Sequence, residues 1–146
     1  MVRSVLGVIA AFILLAILQV ASFMTMYKLM GTDWSFKPAS YQPSTRWTAM
    51  QLVIIIVTST IAGLICAAIA KGGKAPLALA AVVLVLGLGA ALLRTSLHPD
   101  THEVRIGNVS QKDARDKARH PTWVMFLGPF IGAVGVVVGG KLKRRT

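Results

Sequence analysis

The chain alternates between long apolar stretches and short polar segments. No charged side chain occurs in residues 4–27, 47–70, 75–93 or 120–140, which together cover 88 of the 146 residues. All Lys, Arg, Asp and Glu residues lie outside these stretches. A helix rises about 1.5 Å per residue, so about 20 apolar residues cross a hydrocarbon core roughly 30 Å thick. The pattern therefore predicts four membrane-spanning helices.

The predicted fold is an all-α membrane protein, a four-transmembrane-helix bundle that forms one domain over residues 1–146. The apolar runs are continuous, whereas barrel strands would alternate. The polar segments are too short and scattered to build a second, soluble core. The first span is too long for a cleavable signal peptide, whose apolar region runs roughly 7–15 residues. The predicted spans are residues 5–27, 48–70, 76–93 and 121–140. One long polar loop, residues 94–120, connects the third and fourth spans.

The composition is typical of a membrane protein, and a membrane location explains the high positive charge. The chain is 55% hydrophobic with a mean hydropathy of +0.67, a net charge of +11 and a pI near 10.8. In a soluble protein such charge would suggest nucleic acid, but membrane proteins place Lys and Arg beside their spans to fix orientation and to meet anionic lipids. We therefore expect no nucleic-acid partner. The residues expected to meet anionic head groups at the C-terminus are Lys141, Lys143, Arg144 and Arg145.

The distribution of basic residues also predicts the orientation. With both termini in the cytoplasm, the segments on that side carry seven Lys and Arg and no acid, all close to span ends. The other side carries nine basic residues diluted by all five acids. Because orientation follows basic residues near the spans, both termini are predicted to be cytoplasmic. Trp34, Trp47 and Trp123 are predicted to lie at the lipid interface, where indole rings concentrate.

Small residues at helical spacing predict where the helices pack. Membrane helices associate where small side chains let the backbones approach. The fourth span carries a stripe roughly 60° wide, and the second span repeats its spacing, so the two are predicted to pack as a parallel pair. Gly140 lies about 100° off the stripe and is expected to tolerate a larger side chain better. The predicted packing residues are Gly128, Gly132, Gly135 and Gly139 in the fourth span, and Ser59, Gly63, Cys66 and Ala70 in the second.

Two further features concern the interior of the spans. Pro129 interrupts the fourth span and predicts a bend in preference to a transporter-like broken helix. Thr58, Ser59 and Thr60 form a polar centre in the second span, and their hydroxyls are expected to bond to carbonyls one turn earlier or to a neighbouring helix. Gln19 needs a partner in lipid, for which this cluster is the chemical candidate. No Asp, Glu, Lys, Arg or His lies in the middle of a span, which argues against proton-coupled transport.

The long loop contains the one arrangement with metal-binding chemistry. His98, Asp100 and His102 would point to one side of an extended segment, a weak candidate zinc site without a recognised ligand frame. Ser110 is a predicted cap of a short surface helix. Neither a phosphate-binding loop nor a catalytic triad occurs in the sequence. We therefore predict no metal, no cofactor and no enzymatic activity.

Three segments carry a resemblance to a known group of proteins. Residues 62–80 (AGLICAAIAKGGKAPLALA), 127–133 (LGPFIGA) and 139–145 (GGKLKRR) resemble a loose class of small four-span bacterial membrane proteins, which are generally uncharacterised. The resemblance implies a location in the bacterial inner membrane and a multi-pass topology, and it implies no activity.

The sequence leaves three functional hypotheses. The first is a non-enzymatic accessory or assembly subunit of a larger inner-membrane complex, or a small homo-oligomer. The alternative is a small channel or facilitator with its pathway between subunits. The third is a membrane enzyme or metal site that uses the loop 98–103.

Overall fold

The structure is a bundle of four long helices. The computed structural model describes residues 2–37, 42–71, 74–97 and 122–145. Each helix is long and apolar enough to cross a membrane, which confirms the predicted all-α, four-span fold. The helices are α1 (Val2–Ser35), α2 (Thr45–Ala70), α3 (Ala75–Leu97) and α4 (Thr122–Arg145). Most of the predicted polar loop, including the short helix expected at Ser110, lies outside the described residues.

The helices follow one another around the bundle in the order α1, α2, α4, α3. The closest packing is between α2 and α4, while α1 packs mainly on α2 and α3 mainly on α4. In the most apolar 18-residue stretch of each helix, 39% is buried in α2 and in α4, against 17% in α1 and 22% in α3. The pair α2–α4 is therefore the centre of the fold, and α1 and α3 are peripheral.

The first helix extends beyond the predicted span and breaks at a glycine. Helical structure continues from Val2 to Ser35, but Gly31 has φ 70° and ψ 175°, outside the helical region. Only glycine adopts this backbone conformation readily. After the break, the Ser35 hydroxyl donates to the Gly31 carbonyl oxygen at 2.7 Å, which holds the last helical turn.

A serine joins the end of α1 to the start of α2. The Ser44 hydroxyl accepts from the Trp47 backbone N–H at 3.1 Å and donates to the Trp34 carbonyl oxygen at 2.8 Å. The Ser44 N–H also donates to the Ser35 carbonyl oxygen at 2.9 Å. This N-cap explains why α2 begins at Thr45, three residues before the predicted span.

The turn from α2 to α3 is short. Helix α2 ends at Ala70, and Lys71 adopts the left-handed conformation with φ 51° while its N–H donates to the Ala67 carbonyl oxygen. Helix α3 begins at Ala75, with Pro76 in its first turn, where a missing N–H costs little.

The two ends of the bundle are packed differently. The main buried cluster draws on all four helices and lies in the half nearest the chain termini; it consists of Ala11, Cys66, Ala75, Leu79, Ala80, Ala133 and Val136. At the other end, the Tyr27 ring lies between two aromatic neighbours, 4.2 Å from Trp47 and 6.2 Å from Phe36 between ring centroids. The buried cluster near the termini therefore consists of aliphatic side chains and one cysteine, whereas the other end carries a group of aromatic rings.

Candidate functional site: a glycine seam between two helices

Helices α2 and α4 touch through their backbones along a contact that we call the seam. It consists of Ser59, Thr60 and Gly63 on α2 and Gly135, Val136 and Gly139 on α4. Gly135 faces the Ser59 side chain, Gly139 faces the Thr60 carbonyl, and Gly63 faces the Val136 carbonyl. Residue numbers rise together along both helices, so α2 and α4 run parallel, as the spacing of small residues indicates.

The seam has no room for a side chain at its glycines. A Cβ built on Gly63 would lie 2.8 Å from the Val136 carbonyl carbon and 2.9 Å from its Cα. A Cβ on Gly139 would lie 2.9 Å from the Thr60 carbonyl carbon and 3.0 Å from the Leu64 nitrogen. These neighbours are backbone atoms, which cannot rotate away as a side chain can. The two backbones are therefore in direct contact at these positions.

The contact is looser towards the start of α4. A Cβ on Gly128 would meet only Ile55, at 3.7 Å, and one on Gly132 would meet Val83 at 3.4 Å and Ile55 at 3.8 Å. Those are ordinary van der Waals distances. The four glycines of the predicted stripe are thus on the bundle interior, but only Gly135 and Gly139 lie where a Cβ could not be accommodated without movement.

The corresponding residues of α2 divide between two neighbours. Ser59 and Gly63 face α4. Further along, the Cys66 carbonyl oxygen and the Ala70 Cβ lie 3.3 Å and 3.4 Å from the Cβ position of Gly7 on α1. Cys66 is buried in one cluster with Ala133 and Val136 of α4. The predicted pairing of the α2 stripe with α4 therefore fails only for Ala70, which lies against Gly7 of α1.

The expectation that Gly140 would tolerate a larger side chain is wrong. A Cβ at Gly140 would lie 2.6 Å from the Pro76 Cβ and 2.7 Å from its Cγ. Gly140 does lie off the face that meets α2, but the first turn of α3 occupies the space beside it. A rigid proline ring has little freedom to move aside.

Pro129 fits against a second helix without breaking its own. Helix α4 is continuous from Thr122 to Arg145 with Pro129 inside it. The Pro129 ring lies against Gly87 of α3, where a Cβ would be only 2.6 Å from the proline Cγ. Gly128 and Pro129 could have indicated a transporter-like broken helix. In the structure α4 is continuous there, and Pro129 forms a contact between α4 and α3.

The hydroxyl groups in the middle of α2 bond to their own helix. The Thr58 hydroxyl donates to the Ile54 carbonyl oxygen at 2.7 Å, and the Thr60 hydroxyl donates to that of Ile56 at 2.7 Å. Ser59 likewise donates to a carbonyl oxygen one turn earlier. Their hydrogen-bond donors are satisfied locally, so these groups need no solute or neighbouring helix.

Gln19 does not bond to this cluster. Contacts of Gly7 with Ala70 and of Tyr27 with Trp47 show that α1 and α2 run antiparallel, and interpolation between them puts Gln19 level with the segment around Ile55. Within the described residues, the half-buried Gln19 side chain makes no hydrogen bond. The expected pairing with the hydroxyl cluster is therefore absent from the described residues.

A polar pair that sequence reasoning missed lies at the start of α2. Trp47 is only 2% exposed, and its buried indole Nε1 has no hydrogen-bond partner among the described residues. One turn later, the Gln51 Oε1 is buried and likewise finds no partner in the described part of the chain. The spacing of four residues on one helix was visible in the sequence, but burial of both groups was not. Trp47 is thus covered by the protein, whereas the sequence predicted that it would lie at the lipid interface.

The other predicted interface residues are accessible to different degrees. Trp123 is 58% exposed at the start of α4. Trp34 is half-buried, and the Arg46 guanidinium lies 5.9 Å from the centre of its ring, within the range of a cation–π contact. Lys141 and Lys143 are exposed at the end of α4, while the side chains of Arg144 and Arg145 lie outside the described set.

The candidate metal ligands cannot be placed in this bundle. His98, Asp100 and His102 lie outside the described residues. Among the residues that the structure describes, no group of three or more His, Cys, Asp or Glu side chains comes together.

Comparisons with protein-family models, curated proteins and solved structures give no match for this chain. The class of protein is defined by the fold itself. Four apolar helices of membrane-spanning length make the chain an integral, multi-pass membrane protein.

Proposed function

We propose that the protein is a non-enzymatic membrane subunit that acts through helix contacts, as an accessory or assembly component of a larger bacterial inner-membrane complex or as a small homo-oligomer. Both termini would lie in the cytoplasm. The observation that carries the proposal is the seam, where Gly63, Gly135 and Gly139 let the backbones of two helices come into direct contact.

The chemistry inside the bundle supports a structural role. The hydroxyls of Thr58, Ser59 and Thr60 each donate their one proton to a carbonyl oxygen of α2. A pathway for an ion or polar solute needs groups that replace its hydration, and these hydroxyls have no proton left to donate to an anion or a polar solute. The sequence also supplies no ionisable side chain in the middle of a span.

The outer surface of α1 supports association with other spans. Side chains along one face of α1 are half exposed or more; they include Val5, Leu6, Ile9, Ile13 and Ile17. Because this helix is the least buried of the four, most of its apolar surface is available to lipids or to another membrane helix. A peripheral helix of this kind could add contacts to a partner without disturbing the α2–α4 pair.

Purification from native membrane in mild detergent tests the proposal. The tagged protein should migrate with defined membrane partners or as a fixed homo-oligomer, and the interaction should survive mutation of the loop histidines His98 and His102. Recovery as a monomer without partners, at protein concentrations near those in the membrane, would contradict a role based on contact. Zinc bound in stoichiometric amount and lost in the histidine double variant would favour a metal enzyme instead.

A small channel or facilitator is the second candidate, and Gln19 is the observation that favours it. A half-buried amide without a hydrogen bond in the described residues could contribute to a polar path between protomers. Reconstituted protein should then carry ion flux above that of empty liposomes, and Gln19→Leu should abolish it. The proposed structural role predicts no flux in either protein.

A further inference from the structure

Basic residues from separate parts of the chain meet at one end of the bundle. Arg3 lies one helical turn before Gly7, whose Cβ position is 3.4 Å from the Ala70 Cβ. Lys71 follows Ala70 directly in the turn after α2. The contact between Gly7 and Ala70 therefore brings the start of α1 and its arginine to the same end as this turn.

The end of α4 joins the same group. Gly140 packs on Pro76, with its Cβ position 2.6 Å from the proline Cβ. Lys141 is the next residue along α4, and Lys74 lies two residues before the proline. Arg3, Lys71, Lys74 and Lys141 are all exposed, and we call these four residues the basic end.

Within the described part of the chain, no acid lies near this charge. Among the residues that the structure describes, Asp33 is the only acid, and it lies beyond Gly31 at the opposite end of α1. Exposed charges interact over a Debye length of about 8 Å at physiological salt. Folding brings four positive charges onto one end, so their mutual repulsion opposes the fold unless an external anion neutralises them.

Exposed apolar side chains lie beside the same charges. Leu6 on α1, Leu77 on α3 and Leu142 on α4 are 56%, 57% and 48% exposed. Each is within about one helical turn of a basic residue. An anion that fits this surface therefore carries both negative charge and apolar chains, a combination that a phospholipid has and free phosphate lacks.

We propose that the basic end binds the head groups of anionic phospholipids in the leaflet around it, and that this lipid charge stabilises the fold. The binding surface is formed jointly by the start of α1, the α2–α3 turn and the end of α4. It goes beyond the basic C-terminal run, and it does not depend on which side of the membrane this end faces or on the partners proposed above.

The test compares the wild type with the triple variant Lys71→Gln, Lys74→Gln, Lys141→Gln in nanodiscs of phosphatidylcholine alone or with phosphatidylglycerol. The wild-type melting temperature should rise with the anionic fraction and lose this gain at high salt. The triple variant should lose the gain. In phosphatidylcholine alone it should melt higher than the wild type, because the repulsion has been removed. The affinity for phosphatidylglycerol, measured by lipid titration in native mass spectrometry, should fall roughly a hundredfold in the variant, which lacks three basic side chains.

The matched control is the variant Lys28→Gln, Lys37→Gln, Arg94→Gln, which removes the same charge at the opposite end. It should keep the wild-type response to phosphatidylglycerol. Inorganic phosphate added to phosphatidylcholine discs should not reproduce the lipid effect. Equal melting of the wild type in both lipids, an equal loss of response in the control variant, or full replacement of lipid by phosphate would each overturn the proposal.

Discussion

Alanine substitution along the α4 glycines provides the sharpest test of the seam. In Gly139→Ala the new Cβ would lie 2.9 Å from the Thr60 carbonyl carbon and 3.0 Å from the Leu64 nitrogen. In Gly132→Ala the nearest atom would be the Val83 Cγ1 at 3.4 Å, an ordinary contact. Both changes replace glycine by alanine inside one helix, so the gain in helix propensity is similar and cancels in the comparison.

The expected difference follows from these distances. The Thr60 carbonyl oxygen lies nearer still than the carbonyl carbon, so the two backbones must separate by more than about 0.5 Å to clear both atoms. A gap of 0.5–1 Å already forfeits about a quarter to a half of each dispersion contact. Overpacking of this kind costs about 1–3 kcal/mol. Gly139→Ala should therefore be less stable than Gly132→Ala by about 1–3 kcal/mol. Gly63→Ala should resemble Gly139→Ala, because it meets the Val136 backbone from the other side of the seam.

The measurement is the free energy of unfolding of purified protein in mixed micelles, by titration with a denaturing detergent or by steric trapping. A difference between Gly139→Ala and Gly132→Ala within about 0.5 kcal/mol, the scatter of neutral surface changes, would refute backbone contact at the seam. The same result would remove the main support for a function based on helix packing.

Three other predictions concern the remaining parts of the chain. Gly31→Ala should destabilise the protein by about 1–3 kcal/mol even though the space around it is open, because φ 70° and ψ 175° strain any other residue; Gly89→Ala, which also meets open space but has helical backbone, should not. A thermal melt of both variants distinguishes strain from crowding. Gln51→Leu should leave the melting temperature unchanged or raise it, since it removes a buried acceptor that has no partner among the described residues. A fall of more than about 1 kcal/mol in the free energy of unfolding would contradict this, because it would mean that Gln51 makes a hydrogen bond. A cytoplasm-active reporter fused after Thr146 should give signal and one inserted near Gln111 should not; the reverse pattern would overturn the predicted orientation.

The four helices could be predicted from the sequence because lipid imposes a simple requirement. A span needs a long run without charge, and the chain meets this requirement four times. The helix ends were less accurate because local hydrogen bonds decide them. Ser44 starts α2 three residues early, and α1 continues to Ser35 past the break at Gly31.

Contacts between helices were harder to predict because each residue of a bundle has more than one neighbour. Helical spacing identified the glycines of α4, but it assumed a single partner helix. Gly140 is restricted by Pro76 of α3, and Ala70 is covered by Gly7 of α1. The positions of α3 beside Gly140 and of α1 beside Ala70 depend on how the whole bundle assembles. The periodicity of one span contains no information about these positions. Burial of Trp47 was missed for the same reason, since the ring of Tyr27, on a different helix, lies against it.

The distribution of contacts makes the α2–α4 pair the most tightly packed part of the bundle. In the seam, small residues expose backbone carbonyls that only the facing helix can cover, so separating these helices would open many close contacts at once. Helix α1 packs by Gly7 against Ala70 near one end, by the buried Ala11 in the main cluster, and by the Tyr27 ring against Trp47 near the other end. Between these points lies Gln19, which makes no hydrogen bond in the described residues. Lipid can replace contacts on the exposed face of α1 at little cost, but it cannot fill the narrow seam between two backbones. We therefore expect a change of neighbours at the membrane surface to involve the exposed face of α1 before the α2–α4 pair.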